Sequence, residues 1–404
     1  MSNFWITLAI FLALISMPLN SIALLLLAAL LVLLVSVTRW WANYCLVRVS
    51  YQHELSSYRA FTGDELVLTT ELTNNKFLPM PWVQVSAEMS AYAAPKQGHI
   101  VIAPDQDRIL LNSLMSLGWY HRIVRRYSIT CERRGHFYLG PVKIRSGDLF
   151  GMFSREMRKD RDQTLAVYPK VLPLSFFRLP AKQPYGNVRL QRSLLDDVTR
   201  PMGSREYTVG DSLRYVHWKS SARTGKLQTR VFDASTTPNF VLFYGVRTVE
   251  PPLQGSLPQL LELGVLTVTA LANYALEQGQ AVGVYVNQTS RLTSRLLQVP
   301  TSSNPDQLTQ ILEVMAQVHP DVSIPLTQLI SDRSKTLPWG TTIIVVTAVV
   351  DEGTTALLTR MRRAGRSVAL VTIGHAGETP VAGIPTYRVS DASNWQTMGE
   401  VLLQ

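Results

Sequence analysis

The sequence predicts a multidomain chain: an N-terminal transmembrane helical hairpin, a β-sandwich domain, and a C-terminal α/β doubly wound domain. Three observations carry that expectation. Residues 1–38 contain no Asp, Glu, Lys or Arg. Short strand-like runs between turn residues then follow as far as about Pro173, and beyond that short, wholly apolar runs alternate with helical patterns. At 404 residues the chain has room for two or three domains of about 100–200 residues each. The boundaries expected are 1–45 for the hairpin, 46–175 for the sandwich, 176–235 for a basic motif segment packing on the next domain, and 236–404 for the α/β domain.

The hairpin rests on the run from Phe4 to Val37, apolar except at Ser16, Met17, Pro18, Leu19, Asn20 and Ser21. Two short helices, about 2–17 and 20–38, flank that break, the alternative being one span plus an interfacial segment. Each is slightly short of the roughly 20 helical residues that a hydrocarbon core of about 30 Å requires. A single helix would put Pro18 and Asn20 in mid-membrane, and the basic start and cleavage site of a signal peptide are missing. Arg39 and Arg48, with Trp40, Trp41 and Tyr44, follow the second segment, whereas the tip is uncharged. That asymmetry places the bulk of the chain on the cytoplasmic side. Two cysteines, Cys45 and Cys131, fit a reducing compartment.

All 39 basic and 29 acidic residues lie beyond residue 38, so the net charge of +10 belongs to the part outside the apolar segment. Anionic partners are favoured, first among them the lipid surface that the anchor keeps nearby.

From Val49 to about Pro173 the chain reads as strands. Leu66, Leu68 and Leu72 alternate with Val67, Thr69, Glu71 and Thr73 between Gly63-Asp64 and Asn74-Asn75. Further strands are expected over Trp82–Met89, Arg108–Leu114, Arg125–Cys131, Gly140–Arg145 and Thr164–Tyr168. In the second half, Phe240–Val246, Ala281–Val286, Thr342–Val350 and Ser367–Ile373 are apolar runs of the fully buried kind. Between the last two pairs lie a helix after Asn304, with Leu308, Ile311, Leu312 and Met315 on one stripe, and a helix over about Thr354–Ala364 closed by Gly365. Arg360, Arg362 and Arg363 end the latter, where cations oppose the dipole.

The densest chemistry lies in Gly203–Asp233, which holds six Lys or Arg, one His, one Trp and three acids. Asp211, after Gly210, is placed to cap a helix over about 212–224 that Gly225 stops; a strand over Lys226–Phe232 follows. Arg205, Asp211, Arg214, Lys219, Arg223 and Arg230 read structurally as ion pairs fixing this helix to a sheet. The excess of cations over acids leaves some for a binding surface. SSARTGKL lacks the glycine and the Ser or Thr of a P-loop and sits at the wrong end of the helix. A hydrolytic reading would use His217 with Asp211 or Ser220, without a nucleophile elbow or metal pair to support it. Trp218, Tyr207 and Tyr215 offer stacking for nucleic acid, but no recognised nucleic-acid module accompanies them, so that partner is disfavoured.

Read as R-E-Y-x-x-G-D-x-x-R-x-x-H-W-K-x-S-A-R-x-G-x-L-x-x-R, the stretch from Arg205 resembles the signature of the domain-of-unknown-function family 58 of bacterial membrane proteins. Arg134–Phe153, R-G-H-F-Y-L-G-P-V-K-I-R-S-G-D-L-F-G-M-F, resembles the β-domain pattern of the same family. The resemblance implies a von Willebrand factor A-like C-terminal domain, with a MoxR-type AAA+ ATPase and other membrane proteins as partners. It carries over, as binding or structural motif residues, Arg205, Tyr207, Gly210, Asp211, Arg214, His217, Trp218, Lys219, Ser221, Arg223 and Arg230. Domains of that type often hold Mg²⁺ with D-x-S-x-S after the first strand and an Asp after a later one. Here Tyr244-Gly245-Val246-Arg247 and Thr347-Ala348-Val349-Val350-Asp351 stand instead, which implies a metal-free domain with no cofactor. The function expected is a non-catalytic adaptor or assembly factor in the bacterial cytoplasmic membrane, its soluble domains on the cytoplasmic side. The alternative is an enzyme or anionic-ligand binder using Asp211, His217, Lys219 and Arg223.

Overall fold

The computed structural model describes residues 22–102, 108–160, 163–175, 201–208, 216–232, 239–249, 255–338, 340–374, 383–389 and 400–403, with a few positions between 7 and 14. The first expected helix, about 2–17, and the tip of the hairpin therefore lie largely outside the described residues. The second helix runs from Ile22 to Tyr44 (α1), 23 residues, and is long and apolar enough to cross a membrane. It continues six residues past the expected end at 38, because Arg39, Trp40 and Trp41 are good enough helix formers to extend the turn. Its buried positions, Ala28, Val35, Thr38 and Ala42, make one stripe, while leucines such as Leu26, Leu30 and Leu33 are 62% exposed.

The chain divides into two compact units. The first is built on ten strands: β1 (Val49–Leu55), β2 (Arg59–Phe61), β3 (Glu65–Asn74), β4 (Met80–Ser90), β5 (His99–Ile102), β6 (Arg108–Leu117), β7 (Arg122–Thr130), β8 (Gly135–Gly147), β9 (Ser154–Lys159) and β10 (Gln163–Tyr168). A three-stranded sheet, β1-β3-β7, faces a seven-stranded one, β2-β10-β8-β4-β6-β5 with β9 on β8. Alternation explains the pairing: Tyr51, Leu66, Leu68, Leu72, Tyr127 and Ile129 from the small sheet meet Val83, Val85, Leu111, Ile144, Leu165 and Val167 from the large one in a single core.

The second unit begins with β11 (Leu174–Ser175), β12 (Pro201–Glu206), a short helix α2 (Trp218–Thr224) and β13 (Gln228–Phe232). Its body is β14 (Asn239–Gly245), α3 (Pro258–Glu277), β15 (Ala281–Thr289), β16 (Leu296–Ser302), α4 (Gln307–Ala316), α5 (Leu326–Ser334), β17 (Thr342–Thr347), α6 (Glu352–Arg363), β18 (Ser367–Ile373) and β19 (Thr386–Val389), closed by β20 (Val401–Leu402). Six strands form one sheet in the order β16-β15-β14-β17-β18-β19, parallel except for β16. This is an open, doubly wound arrangement whose strand order reverses between β14 and β17. Helix α3 packs on β14, β15, β17 and β18. Val241, Phe243, Ile343, Val345 and Leu370 join Leu329 and Ile330 of α5 and Leu358 and Met361 of α6 in a common core. Mean hydropathy alone would let α3 cross a membrane, yet two thirds of it is interior, as a core helix requires.

Three expected elements differ. The apolar run Thr342–Val350 stops as a strand at Thr347, whose Oγ1 donates to the carbonyl of Val349 at 2.9 Å and turns the chain. The helix expected at about Thr354 begins at Glu352, capped by Asp351 accepting from Thr354 N at 2.8 Å. The motif helix is seven residues long rather than spanning 212–224, since Val216 is engaged in a β-bridge with Thr229.

Candidate functional site

The basic motif folds as a two-stranded antiparallel ladder, β12 on β13, carrying α2 on its connection. His217, not Asp211, caps the described helix: its Nδ1 accepts from Ser220 N at 3.0 Å, while its own N–H donates to Gln228 O at 2.7 Å. Ser221 completes the clasp. Its hydroxyl donates to His217 O at 3.1 Å and accepts from Gln228 N at 2.8 Å, so helix and strand share one hydroxyl. Gly225 ends the helix at φ 67°, with its N–H on Ser221 O at 3.0 Å. Tyr207 is tied to the same hairpin through its N–H on Leu227 O at 2.8 Å.

Arg205 and Arg230 occupy neighbouring register positions, opposite Thr229 and Ser204 respectively. Gly210, Asp211, Arg214 and Tyr215 lie outside the described residues. Trp218, Lys219 and Arg223 are exposed, Trp218 at 69%, and α2 buries none of its residues. Lys219 and Arg223 make no ion pair with a described residue, so the expected clamp onto a sheet does not involve them. The physical reason is length: a two-turn helix outside the core has no interior face on which to desolvate a charge. The nearby pair Lys226–Glu206, at 2.9 Å, is itself solvent-exposed.

With its Nδ1 held as an acceptor, the neutral imidazole of His217 carries its proton on Nε2. Protonating Nδ1 would remove the cap. Abstracting a proton at Nδ1 and capping α2 are therefore mutually exclusive for this atom.

The second candidate is the crevice at the carboxyl ends of β14 and β17, where doubly wound sheets take ligands. Tyr244 is 1% exposed and donates from its hydroxyl to Leu261 O at 2.9 Å in α3. Gly245 lies under Leu326: a Cβ there would meet Leu326 Cδ2 at 2.8 Å. Val246 N donates to Asn287 Oδ1 at 3.0 Å, and Asn287 Nδ2 reaches Ile324 O at 3.2 Å, so the buried amide ties β14, β15 and the entry to α5 together. Thr248 Oγ1 accepts from Leu257 N at 2.8 Å ahead of α3, and Arg247 is exposed. These residues do not fit a hard cation: a buried phenol, a valine and an arginine stand on one side, and the Asp351 carboxylate is engaged at its helix on the other. Among the described residues no group of three or more His, Cys, Asp or Glu side chains is placed to hold a metal ion.

Sequence reasoning missed Leu326 and Asn287 as fillers of this crevice, and Gly264 opposite Tyr244. Only Gly264, a glycine inside a long helical pattern, carried a signal that something bulky approaches.

Residues 203–399 match a family described as "Protein of unknown function DUF58". Over 125 residues the chain is 27% identical to the "Uncharacterized protein YeaD" of Bacillus subtilis (strain 168), an alignment spanning 31% of this chain and 31% of that relative. Among solved structures, a cohesin module from a Clostridium perfringens family 33 glycoside hydrolase aligns with 30% of this chain and 98% of its own, at 10% identity and a TM-score of 0.21. Spo0M, a sporulation control protein from Bacillus subtilis, aligns with 30% of this chain and 49% of its own, at 7% identity and a TM-score of 0.17.

Proposed function

We propose that this chain is a membrane-anchored, cytoplasm-facing adaptor that docks a protein partner through the basic motif and the doubly wound domain, which we read as a metal-free A-like domain. The partner proposed is a MoxR-type AAA+ ATPase, and the location the cytoplasmic membrane of a bacterium. One observation carries the reading: Trp218, Lys219 and Arg223 stand exposed on a backbone fixed by His217 and Ser221, and neither cation has an ion-pair partner among the described residues. An aromatic flanked by cations on a rigid mount is the composition of an interface anchor. Among the described residues, Tyr244 and Leu326 take up the space at the carboxyl end of β14, which supports docking over turnover.

The test is affinity isolation of the tagged full chain from crosslinked membranes. A MoxR-type ATPase should be recovered, and Lys219→Glu with Arg223→Glu should reduce that recovery while hydrogen exchange of β12 and β13 stays unchanged. Recovery of no ATPase, or recovery indifferent to both reversals, would count against the proposal. The reading as an enzyme or anionic-ligand binder has less support, because His217 Nδ1 serves as a cap. Stabilisation of the protein by phosphate or nucleotides, lost in the same double variant, would favour it.

A further inference from the structure

At one end of the β-sandwich, large apolar side chains stand in the open around the place where α1 joins the first strand. We infer that this end is a lipid-contacting collar, with three loops inserted into the membrane interface beside α1. The inference rests on the reading of α1 as a membrane span and adds to it a second, separate contact.

The loops are brought together by the frame. Cys45, the residue after α1, is fully buried with its Sγ donating to Ala42 O at 3.1 Å, and α1 itself packs against β8 and β9. Arg155, at the start of β9, donates to Asn43 Oδ1 at 2.7 Å in the last turn of α1. Arg48 O accepts from Asn75 N at 3.0 Å, so the loop after β3 starts at the same level. Asn74, wholly buried, then clamps two loops at once: its Nδ2 donates to Leu78 O at 3.0 Å and to Gly118 O at 2.8 Å. The third loop is wound on Asp148, whose carboxylate accepts from the backbone N–H groups of Phe150, Met152 and Phe153 and whose carbonyl accepts from Trp82 Nε1.

This rigid scaffolding holds apolar groups in the open. Phe77 and Trp119 stack at 4.9 Å between centroids and are 69% and 60% exposed. Tyr120 is 69% exposed, and Leu149 and Phe150 are 65% and 67% exposed. In water such a set is unfavourable and needs a partner. Trp40 and Tyr44 on the last turns of α1, 54% and 50% exposed, continue the same belt. Continuity with the apolar helix α1 selects lipid, and the charge fits an anionic leaflet. Arg48 and Arg155 stand exposed there, Arg122 pairs with Glu71, and the one acid within residues 43–48, 75–79, 118–122 and 147–155, Asp148, is 1% exposed. Aromatic rings with cations behind them are what the headgroup region of an anionic leaflet accepts.

The full chain is reconstituted in vesicles of phosphatidylethanolamine and phosphatidylglycerol, with one fluorophore attached through Phe77→Cys, Trp119→Cys or Phe150→Cys. Both native cysteines are 0% exposed, so the introduced thiol is the one labelled. Tyr58→Cys is the distant control. Tyr58 is 44% exposed and lies beyond the far end of β1, whose seven residues span about 20 Å. Val32→Cys, on an exposed position of α1, reports whether that helix lies in lipid. Lipids spin-labelled near the headgroup should quench the three loop labels at least about twice as strongly as the control. Quenching at Val32 with none at the loops above the Tyr58 level would overturn the collar while leaving the anchor intact. Loop labels shielded from both lipid quencher and aqueous iodide would equally overturn it, because protein would then cover them. Absence of quenching at Val32 itself would refute the anchor on which the collar rests.

Discussion

Replacing Gly264 by alanine probes how tightly the crevice behind β14 is filled. A Cβ at position 264 would collide with Tyr244 Oη and stand 2.7 Å from Cε2 and 2.8 Å from Cζ. All three are sub-van der Waals separations, and the ring that must yield is 1% exposed and tethered to Leu261 O. Overpacking of this kind costs about 1–3 kcal/mol. Against it stands the gain of about 1 kcal/mol from removing a glycine inside a helix. With three atoms of one buried ring inside contact distance the cost falls in the upper part of that range, about 2–3 kcal/mol, so the net is a loss of about 1–2 kcal/mol, or about 2–8 °C for a unit of this size at about 2–4 °C per kcal/mol. Hydrogen exchange of the β14 amides during thermal unfolding reports on this unit alone, which matters because two units need not melt together. In a Tyr244→Leu background, which lacks Oη and Cζ, the sign should reverse and Gly264→Ala should stabilise. Equal or higher stability of the single variant would refute the close fit, and so would the same loss in both backgrounds.

Three further outcomes follow from the structure. Asp148→Asn places an amide where a carboxylate accepts from three backbone N–H groups; a loss of about 1–3 kcal/mol and faster proteolysis within residues 149–153 are expected. His319, hydrogen-bonded to the buried Gln288, has its pKa held below the ordinary imidazole range, by burial first and by the Arg291 guanidinium second. Such a group takes up its proton more readily when unfolded, so it has no effect above the unfolded pKa. As pH falls through that value towards the lower folded one, stability declines. Thermal melts from pH 8 to pH 5 should therefore show an acid-side loss that His319→Gln diminishes. Burial pushes the Cys131 thiol up to about 11. Because the thiol is also 0% exposed, at pH 8 the folded protein should alkylate there at least about a hundredfold more slowly than the unfolded chain, by mass spectrometry of the trapped thiol.

Legibility followed burial. The wholly apolar runs at Phe240–Val246, Ala281–Val286 and Ser367–Ile373 predicted their strands closely, because both faces of a central parallel strand are covered. The edge strand β9, Ser154–Lys159, was silent: it reads as a polar surface segment, since half-exposed positions place no demand on hydrophobicity. In the motif, Gly225 was readable as a stop because a left-handed φ favours glycine. The cap was misplaced because carboxylates are commoner caps than imidazoles, and nothing in the local pattern announces that Ser220 N will find His217 Nδ1. The aromatic loops were visible as letters, Phe77, Trp119 and Phe150, but their exposure is a tertiary property fixed by Asn74 and Asp148.

The α/β unit starts and stops at a single address. Leu174–Ser175 and Val401–Leu402 run side by side as β11 and β20, with Val401 N bonded to Pro173 O at 3.0 Å and Leu403 3% exposed. Trimming the last few described residues would therefore open a seam at residues 173–175. Lesions at two distant places in the gene would then present as one defect.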